Sequence, residues 1–146
     1  MNICIETLKK EELEQYKFLI DSCFGDSNSL ETYRKSYSED DQYVILVAKE
    51  NEKIVGSVTL YKINLFTFSF QPALEIFNVA VLKEYRRQNI AKTLFNYVIE
   101  YATKNSFKSI FLTCLDTAYS AHKLYESVGF KKMSSVKYSL DLSLLK

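Results

Sequence analysis

Between residues 74 and 115 the hydrophobic period changes twice, and this change limits the fold more than any other feature. Leu74 to Val81, "LEIFNVAV", reads as a strand. After a polar stretch, Ile90, Ala91, Leu94, Phe95, Val98 and Ala102 recur as the apolar stripe of a helix, with Lys92, Asn96, Glu100 and Lys104 outside it. Ser109 to Leu115 then reads as a buried strand. Strand, helix, strand, with no room for another strand between, is a β-α-β unit. Its two strands should therefore run parallel, because only a long crossover can join parallel neighbours.

The rest of the chain supplies antiparallel partners. Ile3 to Glu6 suits a strand, and Leu13, Tyr16, Leu19, Ile20 and Phe24 give Glu11 to Phe24 a helical spacing. The breaker "GDSNS" at 25–29 precedes a shorter helical stretch through Tyr33 and Tyr37. Tyr43 to Ala48 and Ile54 to Ile63 read as strands joined by a turn at Glu50-Asn51-Glu52-Lys53. Asn64 to Gln71, holding Phe66, Phe68 and Phe70, suits either a strand edge or an aromatic loop, and Pro72 marks an edge or a bend. Ala118, Ala121, Leu124, Tyr125 and Val128 share one side of a short helix ended by Gly129. In the tail, Val136, Tyr138, Leu140 and Leu142 alternate with Lys137, Ser139 and Asp141, which predicts a half-buried antiparallel strand. The expectation is one domain over residues 1–146. It is a mixed α/β fold with a central sheet of six to seven strands and helices on both faces.

Charge and cysteines narrow the function. A formal net charge of +1 gives no long basic face for nucleic acid. The three cysteines, Cys4, Cys23 and Cys114, form no C-x-x-C pair, so neither a metal site nor a redox dithiol is expected. No apolar run approaches the ~18 residues needed to cross a bilayer. With no signal peptide in view, a cytoplasmic setting is expected.

The polar stretch before the long helix poses the chemical question. Arg86 and Arg87, followed by Lys92, crowd a helix start whose backbone already carries about half a positive charge. Two readings are open: a solvated charged loop, or a cradle for an anion such as phosphate.

The run from Asn78 to Lys92, together with "AHKLYESVGF" at 121–130, resembles the GNAT superfamily of acyl-CoA-dependent N-acetyltransferases. The first signature is Arg or Gln, two variable residues, Gly, one variable residue, then Gly or Ala; here it reads Arg86, Arg87-Gln88, Asn89, Ile90, Ala91. The second is Ala-x-x-Leu/Phe-Tyr ending in Gly-Phe, here Ala121, Leu124, Tyr125, Gly129 and Phe130. "KIVGSVTLY" at 53–61 also resembles the family's third strand. Asn89 departs from the usual glycine, but Asn tolerates left-handed angles and serves well as an N-cap.

The resemblance implies a mostly antiparallel sheet whose fourth and fifth strands are parallel and splay apart to hold acetyl-CoA. Main-chain groups of Val79, Ala80 and Val81 would pair with the pantetheine arm, beside a bulge near Asn78. Backbone N–H groups from Arg87 to Lys92, a run holding Gln88, Asn89, Ile90 and Ala91, would take the pyrophosphate, with Arg86 alongside. The reaction implied is acetyl transfer to a primary amine, with a non-catalytic CoA-binding sensor as the alternative. An amine with a pKa of ~10.4 must lose a proton before it attacks. Glu75 is the candidate base, and otherwise a solvent-facing strand residue paired with a lysine. Tyr125 is the candidate donor to the departing thiolate, and otherwise a core tyrosine.

Cys114 reads as an inert strand cysteine, with His122 facing outward, rather than as a thiol-enzyme pair. The acceptor region implied by the resemblance offers Tyr33, Tyr37, Phe66, Phe68 and Phe70, with Glu31, Asp40 and Asp41. Aromatics and carboxylates suit a cationic amine. No metal, nucleic acid or membrane partner is expected, and the chain would be a monomer or a homodimer.

Overall fold

The computed structural model describes residues 1–37 and 42–145. Among the described residues five strands form one sheet in the order β1 to β5: β1 Ile3–Thr7, β2 Tyr43–Glu50, β3 Lys53–Ile63, β4 Ala73–Val81 and β5 Ser109–Leu112. The first three pairings are antiparallel, and β4–β5 is parallel, as the strand-helix-strand pattern requires. The helices are α1 Leu13–Phe24, α2 Leu30–Ser36, α3 Ile90–Lys104 and α4 Tyr119–Ser127. β2 and β3 join through Asn51 and Glu52, both at positive φ, as a two-residue hairpin turn demands.

Helices cover both faces. On one, Leu94, Phe95 and Val98 of α3 pack on Leu46, Val58, Leu60 and Leu74. On the other, Leu13, Tyr16, Leu19 and Ile20 of α1 pack on Val47, Ala80 and Leu82. Gly56 lets α3 come close: a Cβ there would lie 3.1 Å from the Ala80 carbonyl oxygen and 3.1 Å from Ile90 Cγ2. At the β1 end, Lys49, with a side chain only 4% exposed, meets Glu6 at 2.8 Å and also Glu12. Burial by itself lowers the Lys49 ammonium, but the hydrogen bonds and charges of the two carboxylates carry it above its ordinary value.

The sheet departs from the expected six to seven strands because the tail does not pair. Residues 131–141 hold no regular structure, and Leu142–Leu145 form a 3-10 turn. Alternation in a sequence makes a strand only where an edge receives it, and among the described residues no sixth strand lies beside β5. β5 itself stops at Leu112, not Leu115. Between β3 and β4 the chain is an aromatic loop: Ser69 and Phe70 take positive φ, which no strand allows, and the Phe66 and Phe70 rings meet edge to face at 5.8 Å.

Candidate active site

Two irregularities of β4 fall at the same place. Its pairing with β5 runs from Ala73 opposite Ser109 to Ile76 opposite Leu112 and stops, although β4 continues to Val81. Just beyond, Ser57 faces Ala80 while Thr59 faces Phe77, so Asn78 and Val79 together oppose Val58. Asn78 has φ 55°. The bulge expected near Asn78 is therefore present. It re-aims the backbone where β4 has lost its neighbour.

At the mouth of α3, Arg87 (φ 63°) and Asn89 (φ 64°) are both left-handed. Successive turns of this kind point backbone N–H groups into one concavity. Among the described residues no acceptor takes an N–H from Arg87 to Lys92. Asn89 tolerates the left-handed angle, but its side chain makes no cap, contrary to expectation; its carbonyl accepts both the N–H and the hydroxyl of Thr93 at 2.9 Å. The first turn of α3 holds no acidic residue to offset the charge. A cleft of about 380 Å³ opens here, lined by Val81 and by Arg86, Arg87, Asn89, Ile90, Ala91 and Lys92.

Three residues of the expected binding set lie outside this cleft's wall. Ala80 is buried with the α1 cluster, and Val79 packs against the α3 cluster. Gln88 turns away to donate to the Glu84 carbonyl at 3.1 Å. Arg86 is not a loose surface cation, since its Nε donates to the Val81 carbonyl at 3.0 Å and ties the loop to the end of β4. Tyr85, Ser120, Leu124 and Ser127 complete the wall, and of these the sequence singles out only Leu124, in the second motif. The last three lie on α4, and their signal was the helical spacing of the second motif, which brings α4 across from α3.

Tyr125 lies half-buried on α4, against Phe95 at 5.3 Å and Phe130 at 6.1 Å between ring centres. Burial first, then the nearby Cys114, push its phenol above its ordinary value, so it stays protonated and can donate. Glu75 belongs to the opposite face of the sheet. Its cross-strand neighbours are Tyr61 on β3 and Phe111 on β5, not a lysine. Phe77 stands two residues along, with its ring 5.3 Å from that of Tyr61, and Tyr43 continues the row at 5.9 Å. Tyr61, Phe77 and Phe111 are each between 37% and 40% exposed, an aromatic wall around one carboxylate. No hydrogen bond or ion pair to Glu75 occurs among the described residues. These rings went unread because they come from three strands and meet only through register.

Other expectations change. Cys114 is exposed, not core, because β5 ends before it. His122 folds back, its Nε2 3.0 Å from the Leu115 carbonyl oxygen. Cys114 Sγ lies 3.9 and 3.8 Å from the two ring nitrogens, so it lines up with neither lone pair, and the two do not form an aligned nucleophile–base pair. Asp40, Asp41 and the side chain of Phe68 lie outside the described residues. Among the described residues no group of three or more His, Cys, Asp or Glu side chains could hold a metal, and no helix is long and apolar enough to cross a membrane.

A parallel strand pair whose pairing stops at Ile76 and Leu112 thus lies beside a helix mouth that presents N–H groups and cations, an arrangement suited to an anion. Residues 6–130 match the model of the Acetyltransferase (GNAT) family, and the chain belongs to that family. It is 35% identical over 98 residues to N-acetyltransferase 8 of Homo sapiens, covering 67% of this chain and 43% of that protein. It is 39% identical over 67 residues to N-acetylaspartate synthetase of Xenopus tropicalis, covering 46% of this chain and 25% of that one. The chain thus spans less than half the length of these curated relatives. A transcriptional regulator from Bacillus halodurans C-125 superposes with TM-score 0.83 over 95% of this chain and 100% of that one at 21% identity, a likeness of fold.

Proposed function

We propose that the protein transfers an acetyl group from acetyl-CoA to a primary amine by direct attack, both substrates being bound together. One observation carries this reading: the free N–H groups from Arg87 to Lys92 open into a cationic cleft beside the point where β4 and β5 part. The pyrophosphate of acetyl-CoA fits those donors. The pantetheine arm fits the uncovered side of β4, where Val79 and Ala80 contribute main chain rather than side chains.

Glu75 would hold the ammonium group and take its proton, directly or through a water. Tyr125 would approach from the other face and donate to the sulfur as it leaves. A phenol raised above its ordinary value does not give up its proton readily to a thiolate of pKa ~8.5, so it works chiefly by hydrogen bonding to the developing charge. A carboxylate without a partner, ringed by Tyr61, Phe77 and Phe111, fits a cationic amine whose carbon chain lies on aromatic faces. The relatives' names include an N-acetylaspartate synthetase, but an acidic acceptor would meet like charge at Glu75. Free cysteines fit a reducing compartment such as the cytoplasm.

The test is steady-state release of thiol from acetyl-CoA across a panel of amines. We expect turnover with amines bearing apolar chains and little with acidic amino acids. CoA binding without turnover on any amine would make the protein a CoA-binding module instead.

A further inference from the structure

We propose that the hydroxyls of Tyr16, Ser57 and Thr59 hold one buried water between α1 and the sheet, and that this water fixes the β4 bulge in place. The catalytic consequence rests on the function proposed above; the water site itself does not.

Ser57 and Thr59 are the two β3 residues that bracket the bulge. Ser57 faces Ala80, Thr59 faces Phe77, and the extra residue of β4 lies between. Both side chains belong to the α1 face of the sheet. Ser57 pairs with Val47 and Ala80, and Thr59 with Ile45, all of which pack in the α1 cluster. A hydroxyl under an apolar helix costs free energy unless it is hydrogen-bonded. Ser57 is 0% exposed and Thr59 2%, yet among the described residues neither hydroxyl has a hydrogen-bond partner.

The third hydroxyl comes from α1. Tyr16 is buried, and its ring stands edge-on to that of Tyr33, with centres 6.1 Å apart. Burial pushes its phenol above its ordinary value, while the nearby Thr59 and Ser57 hydroxyls act to lower it. Three buried hydroxyls therefore converge without a direct bond from Ser57 or Thr59 to a described group. A buried water makes about three hydrogen bonds to groups that would otherwise go unpaired, and this cluster offers that number. The bulge offers one more. Its extra residue drops out of the β3–β4 ladder, so main chain at Asn78 and Val79 needs a partner from elsewhere. Asn78, at φ 55°, holds an angle that its surroundings must maintain. A water bonded to the hydroxyls and to this main chain ties the bulge to β3 and α1.

On the proposed reaction the acyl group lies beside this stretch of β4. A main-chain N–H held toward its carbonyl oxygen stabilises the charge that develops there. Tyr16, Ser57 and Thr59 are then positioning residues, acting through the β4 backbone.

A high-resolution crystal structure of the parent tests the site. We expect one water within about 3.2 Å of the three hydroxyl oxygens and of a main-chain atom of residue 78 or 79. Direct bonds among the hydroxyls, with no water between them, overturn the proposal. Thr59→Val deletes the hydroxyl and nearly keeps the shape, whereas Thr59→Ser keeps the hydroxyl and deletes a methyl. Thr59→Val should lower kcat ~10-fold or more, with KM for acetyl-CoA within about twofold of the parent. Thr59→Ser should recover most of that loss, and Tyr16→Phe should behave as Thr59→Val does. Impairment in Thr59→Ser but not in Thr59→Val would show that packing matters and the hydroxyl does not. Parent-like kcat in both Thr59→Val and Tyr16→Phe overturns the positioning role. A parent that acetylates no amine defeats the proposed function instead. The water then still decides this proposal, together with its loss and a displaced Asn78 in crystals of Thr59→Val or Tyr16→Phe.

Discussion

Ala91 is the sharpest test of the anion cradle, because one substitution moves two measurements in opposite directions. Ala91 lies in the first turn of α3 and lines the cleft beside Asn89 and Lys92. Ala91→Asp places a carboxylate among N–H donors that have no partner among the described residues. In the unliganded protein that is favourable: an acid in a helix's first turn contributes about 0.3–1 kcal/mol, and here it also neutralises nearby cations. Thermal unfolding without ligand should therefore occur at the parent's temperature or slightly above. Toward a pyrophosphate the sign reverses. At ~6 Å and an effective dielectric of ~20, two like charges repel by about 3 kcal/mol, which alone is a loss of ~100-fold in affinity. Isothermal titration with CoA should show that loss or no binding. Asn89→Gly removes the residual strain of a left-handed non-glycine residue and sacrifices no side-chain cap, so it should bind at least as well as the parent. CoA affinity within about twofold of the parent in Ala91→Asp, on this same electrostatic scale, would refute the cradle. A fall in both melting temperature and affinity would point to misfolding, and would contradict the sign worked out above.

Tyr125→Phe deletes only the hydroxyl while keeping the contacts with Phe95 and Phe130; turnover should fall ~10²-fold or more with CoA affinity nearly unchanged, and equal turnover returns the residue to the core. Glu75→Gln keeps shape but cannot accept a proton: the rise of kcat/KM with pH should disappear or move toward the amine's own ionisation, with CoA binding intact, and an unaltered profile places the base elsewhere. The Lys49 hydrogen bond and charge hold the Glu6 carboxyl below its ordinary 4.5, so the stability it contributes is present above that value and lost as pH falls through its lower folded value. The parent's urea midpoint should drop more on acidification than that of Glu6→Gln; parallel curves would sink this assignment. Glu12→Ala, which strips a partner from buried Lys49, should cost about 3 kcal/mol in urea unfolding at pH 7.

What the sequence discloses depends on whether a residue's role is decided nearby. The α3 stripe is legible because Ile90, Leu94, Phe95, Val98 and Ala102 repeat with the helix's own period, and all five are buried. The 51–52 turn is legible because two residues must reverse the chain there. The tail fails for the opposite reason. Val136 to Leu142 state that a face should be buried but not against what, and the own-chain partner assumed for them is not beside them. Cys114 was placed in the core by extending a hydrophobic run past Leu112, where pairing ends. The aromatic wall around Glu75 was invisible because Tyr61, Phe77 and Phe111 are brought together only by the register of β3, β4 and β5.

The bulge and the split make most sense as one device. A strand residue faces the side opposite its neighbours, so in a regular β4 the residues after Phe77 would keep the alternation set by Leu74 and Ile76. The extra residue at Asn78 and Val79 resets it: Glu75 and Phe77 lie on the side of the aromatic wall, yet Ala80, three residues on from Phe77, returns to the α1 cluster, and Val79 packs toward α3. A β4 without the bulge would rotate Ala80 into the α3 face. The split alone would open an edge and leave its donors in regular array. With the bulge, a left-handed turn falls at Asn78, two residues beyond the last β4–β5 pair. On the proposed function, an acyl group lying in that opening would have Glu75 toward one face of the sheet and Tyr125 toward the other. The two proton transfers of acetyl transfer, from the attacking amine and to the departing sulfur, occur at different atoms of one tetrahedral intermediate, so a base and an acid held on different sides can serve them without competing.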